Sequence, residues 1–242
     1  SIRAASAAAA GETALACAGR TWSYAQLAAS VDARMPALAR DFGTGRPCPL
    51  VADNTAASVV TLLALLELRI PALLVHPRLT SVERSALLAD ADRAGPVGHA
   101  DAAAIVHTSG TTGESRGAVL TRGALLASAA ASAANLGWQD DDRWLACMPI
   151  ARVGGLSILT RSLAARRAVV LRDGLDAAGF PALVAAERIT LASLVPTMLT
   201  RVLDAHPDWT PPAHLRAVLV GGAAASPKLL ARAAERGIPV VV

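Results

Sequence analysis

The most informative stretch of the sequence is Thr108-Ser109-Gly110-Thr111-Thr112-Gly113-Glu114-Ser115-Arg116-Gly117. It lies between two short apolar runs, residues 102–106 and 118–120, that predict strands. Glycine lets the backbone take positive φ and approach a ligand closely, and consecutive N–H groups in such a turn form a concave anion nest. Hydroxyl groups and the guanidinium of Arg116 add donors suited to phosphate oxygens. The pattern predicts a loop that holds a triphosphate.

The stretch is not one of the two commonest phosphate motifs. No lysine follows its second glycine, so it is not a P-loop, and it lacks the dinucleotide pattern G-x-G-x-x-G. A solvated Ser/Thr/Gly turn is the plain structural alternative.

The stretch resembles the phosphate-binding signature of the adenylate-forming ligases, which reads Thr-Ser-Gly-Thr-Thr-Gly-x-Pro-Lys-Gly. That superfamily contains acyl-CoA synthetases, peptide-synthetase adenylation domains and luciferases. Ser115 stands where proline is usual, and Arg116 stands where lysine is usual. Of 23 basic residues only Lys228 is a lysine, so Arg116 agrees with the composition, and it keeps the positive charge.

The composition argues against several classes of protein. The chain has 242 residues, 53% of them hydrophobic, enough for one large domain or two small ones. Scattered basic residues and only 3% aromatic residues argue against nucleic-acid binding. The three cysteines form no C-x-x-C pair, which favours a reduced, cytoplasmic compartment over a disulfide scaffold or zinc site. The opening residues lack the apolar segment of a signal peptide, and Glu67, Arg69 and Pro71 interrupt the apolar run 59–75, so no membrane span is expected.

Strand and helix patterns alternate about eight times along the chain, which predicts an α/β fold with mainly parallel sheets flanked by helices. Capping signals at residues 23–26, 80–83 and 121 predict three helix starts. The Gly-Pro-Val-Gly stretch at residues 95–98 predicts a boundary between a first α/β subdomain, 1–98, and a second, 99–242, that carries the phosphate loop and the acyl pocket. Active loops are expected at the carboxyl ends of strands.

A second segment narrows the resemblance. Residues 142–145, Asp-Arg-Trp-Leu, and 153–157, Val-Gly-Gly-Leu-Ser, match a segment of the o-succinylbenzoate–CoA ligases that reads Asp-Arg-Trp-Leu…Pro-x-x-His-Val-Gly-Gly-Leu-Ser. Its pattern predicts a strand, a turn that contains the glycines, and a helix. Arg152 stands in place of the histidine and introduces a permanent cation. An arginine paired with a neighbouring carboxylate is the plain alternative. Three adjacent acids, residues 140–142, lack metal-ligand spacing and predict a solvated turn.

The resemblance implies three sets of site residues. Those implied to bind the nucleotide are Thr108, Ser109, Gly110, Thr111, Thr112, Gly113, Arg116, Gly221, Gly222 and Ala223. Those implied to bind the acid are Arg152, Val153, Gly154, Gly155, Pro196 and Thr197. The residues expected to act in catalysis are Arg116 and Arg152. No metal ligand is assigned.

The resemblance implies an AMP-forming ligase that uses ATP, Mg²⁺ and coenzyme A to activate a small carboxylic acid. The expected acid is o-succinylbenzoate, a substrate of menaquinone biosynthesis. The family's Tyr-Gly-x-Thr-Glu motif, ribose-binding Asp, hinge and C-terminal domain with its catalytic lysine have no counterpart in the sequence. We therefore expect the chain to correspond to the N-terminal part of such an enzyme and to be inactive alone.

Other functions agree with the same residues. Another acyl- or aryl-CoA ligase, or an adenylation domain that loads a carrier protein, would share the phosphate loop. The replacement at Arg152 also fits a non-catalytic nucleotide-binding remnant, and a plain interaction module would bind no nucleotide. The sequence leaves open the acid and the oligomeric state, with a homodimer as one option.

Overall fold

The computed structural model describes residues 1–43, 45–109 and 115–242. Within them the helices are α1 Ile2–Ala9, α2 Tyr24–Asp41, α3 Ala56–Leu68, α4 Ser81–Ala94, α5 Arg122–Leu136, α6 Val153–Ala165, α7 Phe180–Ala186, α8 Pro196–Ala205 and α9 Pro227–Glu235. The strands are β1 Thr13–Cys17, β2 Arg20–Ser23, β3 Cys48–Val51, β4 Ala72–Val75, β5 Ala102–Ser109, β6 Ser115–Thr121, β7 Arg143–Ala146, β8 Ala168–Leu171, β9 Leu191–Leu194, β10 Ala217–Val220 and β11 Val240–Val241.

The described strands form two sheets. The larger has the order β11-β10-β9-β7-β8-β1-β2, and the smaller has the order β3-β4-β5-β6. Pairing is parallel throughout, except that β1 pairs with β2 and β5 pairs with β6 in antiparallel fashion. The predicted α/β fold with mainly parallel sheets is confirmed.

The sheets do not divide at the predicted boundary between residues 98 and 99. Strands β1 and β2 come from the first segment but join the larger sheet through β8, and β5 from the second segment pairs with β4 from the first. Strand pairing is decided by long-range complementarity, which a local Gly-Pro linker does not reveal. The two-subdomain division itself stays a prediction.

Most strands of the larger sheet are covered on both faces. Trp144 and Val169 point into a core shared with α2, α3 and the smaller sheet, whereas Leu145 and Val170 point into a second core formed with α7, α8 and α9. Side chains alternate along a strand with a period of two, and a parallel sheet covered on both faces is apolar on both. This explains why the central strands are continuous apolar runs.

The predicted capping signals are confirmed. The side chains of Ser23 and Thr80 each accept a hydrogen bond from the backbone N–H three residues later. The side chains of Gln26 and Glu83 in turn accept from the backbone N–H groups of Ser23 and Thr80, so both pairs form capping boxes. Thr121 caps α5, which begins at Arg122. Local side-chain hydrogen bonds of this kind satisfy helix N–H groups that lack an intrahelical partner.

The sequence predicts that the glycine pair after β7 lies in a loop before α6. In the structure both glycines belong to the first helical turn of α6. A Cβ on Gly155 would lie 2.3 Å from the carbonyl oxygen of Pro149, whereas one on Gly154 would lie 3.0 Å from the terminal methyl of Met148. Neither glycine has positive φ. Gly155 is therefore required for close packing of the helix on the preceding chain and not for backbone conformation.

The prediction that the acidic run 140–142 is a solvated turn is wrong for one residue, because Asp142 is buried. Asp142 accepts hydrogen bonds from Gln139 N at 2.8 Å, Thr190 Oγ1 at 2.7 Å and Arg216 Nε at 2.7 Å, and it forms a salt bridge with Arg216. Burial alone would raise the pKa of Asp142, but these hydrogen bonds and the Arg216 charge outweigh it and hold the pKa below its usual range. The residue ties the amino end of β7 to β9 and β10.

We expect Asp142→Asn to lower the free energy of unfolding by about 3 kcal/mol at pH 7, because it leaves the Arg216 cation without its counter-charge. The lowered pKa of Asp142 means that its stabilisation is present above the unfolded pKa, near 4, and is lost as pH falls through the folded pKa. Urea denaturation across pH should show the difference shrinking below about pH 4. The control is exposed Asp141→Asn, and an equal loss in both variants would contradict the account.

We expect Gly155→Ala to lower the free energy of unfolding by about 1–3 kcal/mol, because backbone atoms of Pro149 cannot yield to a methyl group. Gly154→Ala is the matched control. Its methyl group meets only the flexible end of Met148, and alanine favours a helix over glycine by roughly 0.5–1 kcal/mol. Equal stability of the two variants in urea denaturation would show that the close approach at Gly155 is not a constraint.

Candidate active site

The signature stretch joins two antiparallel strands of the smaller sheet. Strand β5 ends at Ser109 and β6 begins at Ser115, with Thr108 opposite Arg116 in the register. Arg116 is exposed. The predicted nucleotide ligands Gly110, Thr111, Thr112 and Gly113 lie outside the described residues, as do the side chains of Thr108 and Ser109, so their roles stay predictions.

The last glycine of the signature makes room for a histidine. Gly117 lies opposite His107 in the β5–β6 register. A Cβ on Gly117 would lie 3.0 Å from Ile105 Cγ2 and 3.4 Å from His107 Nε2. A side chain at this position would therefore press on the residue that immediately precedes the signature.

Arg152 links the two sheets. It precedes α6 in the larger-sheet half of the molecule, and its Nη1 donates to the carbonyl oxygen of His107 at 2.9 Å. The acceptor lies on β5, one residue before the signature. The acceptor is thus a backbone carbonyl oxygen. It is not the carboxylate of a neighbouring side chain, which was the alternative partner expected for Arg152. The side chain is otherwise exposed.

Two imidazoles lie in the field of the Arg152 guanidinium. The pKa of His76 is lowered by burial, then by the charges of Arg152 and Arg78. The pKa of His107 is lowered by burial and by Arg152, against an opposing effect of Asp90. His76 Nδ1 also accepts a hydrogen bond from Arg78 N at 3.1 Å, which favours the neutral ring. The Arg152 guanidinium thus acts on two imidazoles whose pKa values are lowered, and its positive charge can attract an anion to this region.

The predicted acyl and adenine segments follow neighbouring strands. Strands β7, β9 and β10 are parallel and adjacent, and they lead into the turn 147–152, into Pro196 and into Gly221. Gly221 N donates to the carbonyl oxygen of Leu194 at 3.2 Å, and Gly222, with φ of +80°, would place a Cβ 3.3 Å from Val195. Parallel strands lie about 4.8 Å apart, so these segments share one edge of the sheet. Thr197, Gly221 and Ala223 are exposed there.

Nothing in the sequence points to Asn54, which follows β3 and is 7% exposed. Its Nδ2 donates to the carbonyl oxygens of Met148 at 3.0 Å and Arg172 at 2.8 Å, and its Oδ1 accepts from Ile150 N at 3.0 Å. A buried asparagine has no local sequence signal, because its partners are about a hundred residues away. Nor does the sequence indicate that His76 and His107 lie near Arg152, because the arginine is distant from both of them along the chain.

The buried thiols of Cys48 and Cys147 do not suit a nucleophilic role. Burial raises the pKa of Cys48 to about 11 and that of Cys147 to about 12, so neither is a thiolate at neutral pH. In the part of the chain that the structure describes, no three His, Cys, Asp or Glu side chains are grouped to hold a metal ion. No helix in the same part has the length and apolar character needed to cross a membrane.

Curated relatives match a little over half of the chain. The 2-succinylbenzoate–CoA ligase of Bacillus mycoides is 42% identical over 140 residues, which is 58% of this chain and 29% of the relative. The ligase of the same name from Bacillus cytotoxicus is 42% identical over 141 residues, with the same coverage. The matched segment thus spans less than a third of the length of these relatives.

Solved structures match nearly the whole chain. The o-succinylbenzoate CoA synthetase of Bacillus subtilis with its acyl-adenylate intermediate is 26% identical, with a TM-score of 0.89 over 99% of this chain and 57% of that chain. The same enzyme with ATP and magnesium ion matches equally well, with 58% of that chain covered. A family model described as AMP-binding enzyme matches residues 92–242, more than half of the sequence, including the signature stretch. The chain therefore belongs to the AMP-binding enzyme family, the group whose phosphate signature it carries at residues 108–117.

Proposed function

We propose that this chain is the nucleotide- and acid-binding part of an ATP-dependent acid–thiol ligase, and that its acid is o-succinylbenzoate. The identity of 42% to 2-succinylbenzoate–CoA ligases supports the reaction and the acid. The single structural observation that carries the proposal is the hydrogen bond from Arg152 to His107. It holds a permanent cation of the β7–α6 turn next to the signature hairpin, which is formed by β5 and β6. A cytoplasmic place in menaquinone biosynthesis belongs to the same proposal.

The proposed reaction has two displacements. A carboxylate oxygen of the acid attacks the α-phosphorus of ATP, the bond to the bridging oxygen breaks, and pyrophosphate leaves with the electron pair. The thiol of coenzyme A then loses its proton and attacks the acyl carbon, and AMP leaves to give the thioester. The first step needs alignment of acid and phosphate more than covalent chemistry, so positioning and charge neutralisation supply most of the rate enhancement.

The nucleotide would be held at two places. The signature residues and Arg116 would neutralise the pyrophosphate half, and the segment Gly221–Gly222–Ala223 would lie against the adenine. ATP enters as its magnesium complex, in line with the Bacillus subtilis structure that holds both. Since no cluster of metal ligands occurs among the described residues, we assign the ion no ligand in this chain and derive no step through it.

Arg152 would recognise the carboxylate that does not react. o-Succinylbenzoate has two carboxylates, so one must be held while the other attacks ATP. A guanidinium carries five N–H donors in a fork that matches a carboxylate, and the bond to His107 engages one nitrogen, Nη1. The side chain is exposed at the edge of the sheet where the segments after β7, β9 and β10 meet. Val153, Gly154, Gly155, Pro196 and Thr197 would form the wall around the rest of the acid.

We expect the intact gene product to catalyse ATP–pyrophosphate exchange that depends on o-succinylbenzoate, because adenylate formation is reversible. The measurement is incorporation of labelled pyrophosphate into ATP, with and without the acid. Exchange with benzoates or fatty acids alone would keep the ligase and discard the substrate. Transfer to a carrier protein and not to coenzyme A would identify an adenylation domain. Nucleotide binding without exchange from a folded protein would identify a non-catalytic remnant.

We expect Arg152→Leu to raise KM for o-succinylbenzoate about 10- to 100-fold, because a hydrogen bond to a charged group contributes about 1.5–3 kcal/mol. KM for ATP should change less than about 3-fold, and Arg152→Lys should recover part of the loss because lysine keeps the charge without the fork. Steady-state kinetics would measure all three constants.

The matched control for Arg152 is Arg34→Leu, which removes an exposed arginine on α2. It should leave both KM values unchanged. A monocarboxylic acid that the enzyme accepts should also lose little affinity in Arg152→Leu. Equal increases in KM for ATP and for the dicarboxylate would contradict the assigned role.

A further inference from the structure

The turn 147–152, between β7 and α6, carries Arg152 and is closed by a backbone hydrogen bond from Arg152 N to Pro149 O at 3.0 Å, which leaves the groups of Met148 and Ile150 to be satisfied from elsewhere. Its buried backbone groups need partners, since an unpaired buried amide or carbonyl is costly. Asn54 supplies two of these partners, Nδ2 to Met148 O and Oδ1 to Ile150 N. A third bond, from Nδ2 to Arg172 O, ties the same side chain to the segment after β8.

Only a carboxamide fits this position. Two carbonyl oxygens face Nδ2, which has two N–H donors, and one backbone N–H faces Oδ1. The flipped amide would set its oxygen against two carbonyl oxygens and its NH₂ against an N–H, so the hydrogen-bond network defines one orientation. A carboxylate of the same shape would repel the two carbonyl oxygens.

The backbone that carries Asn54 is itself held in place. Ala52 N donates to Val75 O at 2.9 Å, which fixes the exit of β3 against β4. Asp53 accepts hydrogen bonds from Thr55 Oγ1 at 2.7 Å and from Ser58 Oγ, and Thr55 caps α3. The amide is thus presented to the turn by the smaller sheet and the start of a helix, which are rigid elements.

Two side chains therefore join the same turn to the smaller sheet. Asn54 reaches from the end of β3 into the turn, and Arg152 reaches back from the end of the turn to His107 on β5. Together, these two side chains fix the position of the turn 147–152 relative to β5, the strand that leads into the signature. An error of 1 Å in such an alignment costs on the order of 100-fold in rate.

We propose that Asn54 is a positioning residue for adenylate formation, which holds the turn carrying Arg152 in register with the signature hairpin. The inference rests on the proposed function. Asn54 acts through Met148 and Ile150 and does not itself touch the acid or the nucleotide.

The test compares Asn54→Asp and Asn54→Ala with the control Thr190→Val in the intact gene product. Thr190 is 3% exposed and also makes buried hydrogen bonds, accepting from Arg143 N at 3.0 Å and donating to Asp142 at 2.7 Å. Thr190 immediately precedes β9 and therefore lies at the amino end of the larger sheet, whereas the turn 147–152 follows β7 at its carboxyl end. It therefore reproduces a loss of buried hydrogen bonds without disturbing the turn.

The first measurement is amide hydrogen exchange of the segment 147–152. We expect exchange at Ile150 N–H to be at least about tenfold faster in Asn54→Ala, because its acceptor is gone. Thr190→Val should leave this segment as protected as in the wild type. Unchanged protection in Asn54→Ala would overturn the inference whatever the enzyme does.

The second measurement is acid-dependent ATP–pyrophosphate exchange. We expect kcat to fall about 10- to 100-fold in Asn54→Asp, with KM for ATP changed less than about threefold, while Thr190→Val keeps the wild-type kcat. The double variant with Asn54→Asp and Arg152→Leu should lose less kcat/KM for the acid than the product of the losses in the two single variants, since both substitutions act on one turn.

The two proposals fail in different ways. A wild-type protein that is silent with every acid overturns the proposed function, and hydrogen exchange still decides whether Asn54 holds the turn. An active wild type whose turn loosens in Asn54→Ala without loss of kcat, or a Thr190→Val variant that loses as much, would reduce Asn54 to a purely structural residue and overturn the positioning role.

Discussion

Burial of two mainly parallel sheets against one set of helices is the constraint on which the rest of the structure depends. The inner faces of both sheets share a core with α2, α3 and α6, so neither sheet can shift without exposing the other. Burying apolar surface contributes roughly 25 cal/mol per Å², which makes this shared core the main stabilising element. It also brings the carboxyl ends of β5 and β7 close enough for Arg152 to reach His107.

Polar side chains then refine what the core brings together. Asn54 and Arg152 join the irregular segments beside the signature, and Asp142 with Arg216 joins the strands at the opposite end of the larger sheet. Asn54, Asp142 and Arg216 are buried or half-buried, whereas Arg152 is exposed. All four have partners far away in sequence, and each loses a defined set of bonds if replaced. The apolar core determines that the segments meet, and these hydrogen bonds determine in what register they meet.

Local patterns were reliable where the physical cause is local. The capping boxes at Ser23 and Thr80, the cap at Thr121 and the parallel strands followed from neighbouring residues. The family followed from the signature and from the segment around Trp144, although most of the predicted phosphate ligands lie outside the described residues. The predictions failed where the cause is distant. Asp142 is buried rather than solvated, and the glycines after β7 lie in the first turn of a helix.

The sequence by itself determined the α/β class, the helix starts, the family and the chemical character of the site, because hydrophobic period, capping and motif are properties of adjacent residues. Only the tertiary structure decided which strands share a sheet, why Gly155 must lack a side chain and where the guanidinium of Arg152 is held. It alone revealed Asn54, whose partners lie 94, 96 and 118 residues away. The physical reason is that a contact between distant segments depends on how the whole core packs, and no local pattern records it.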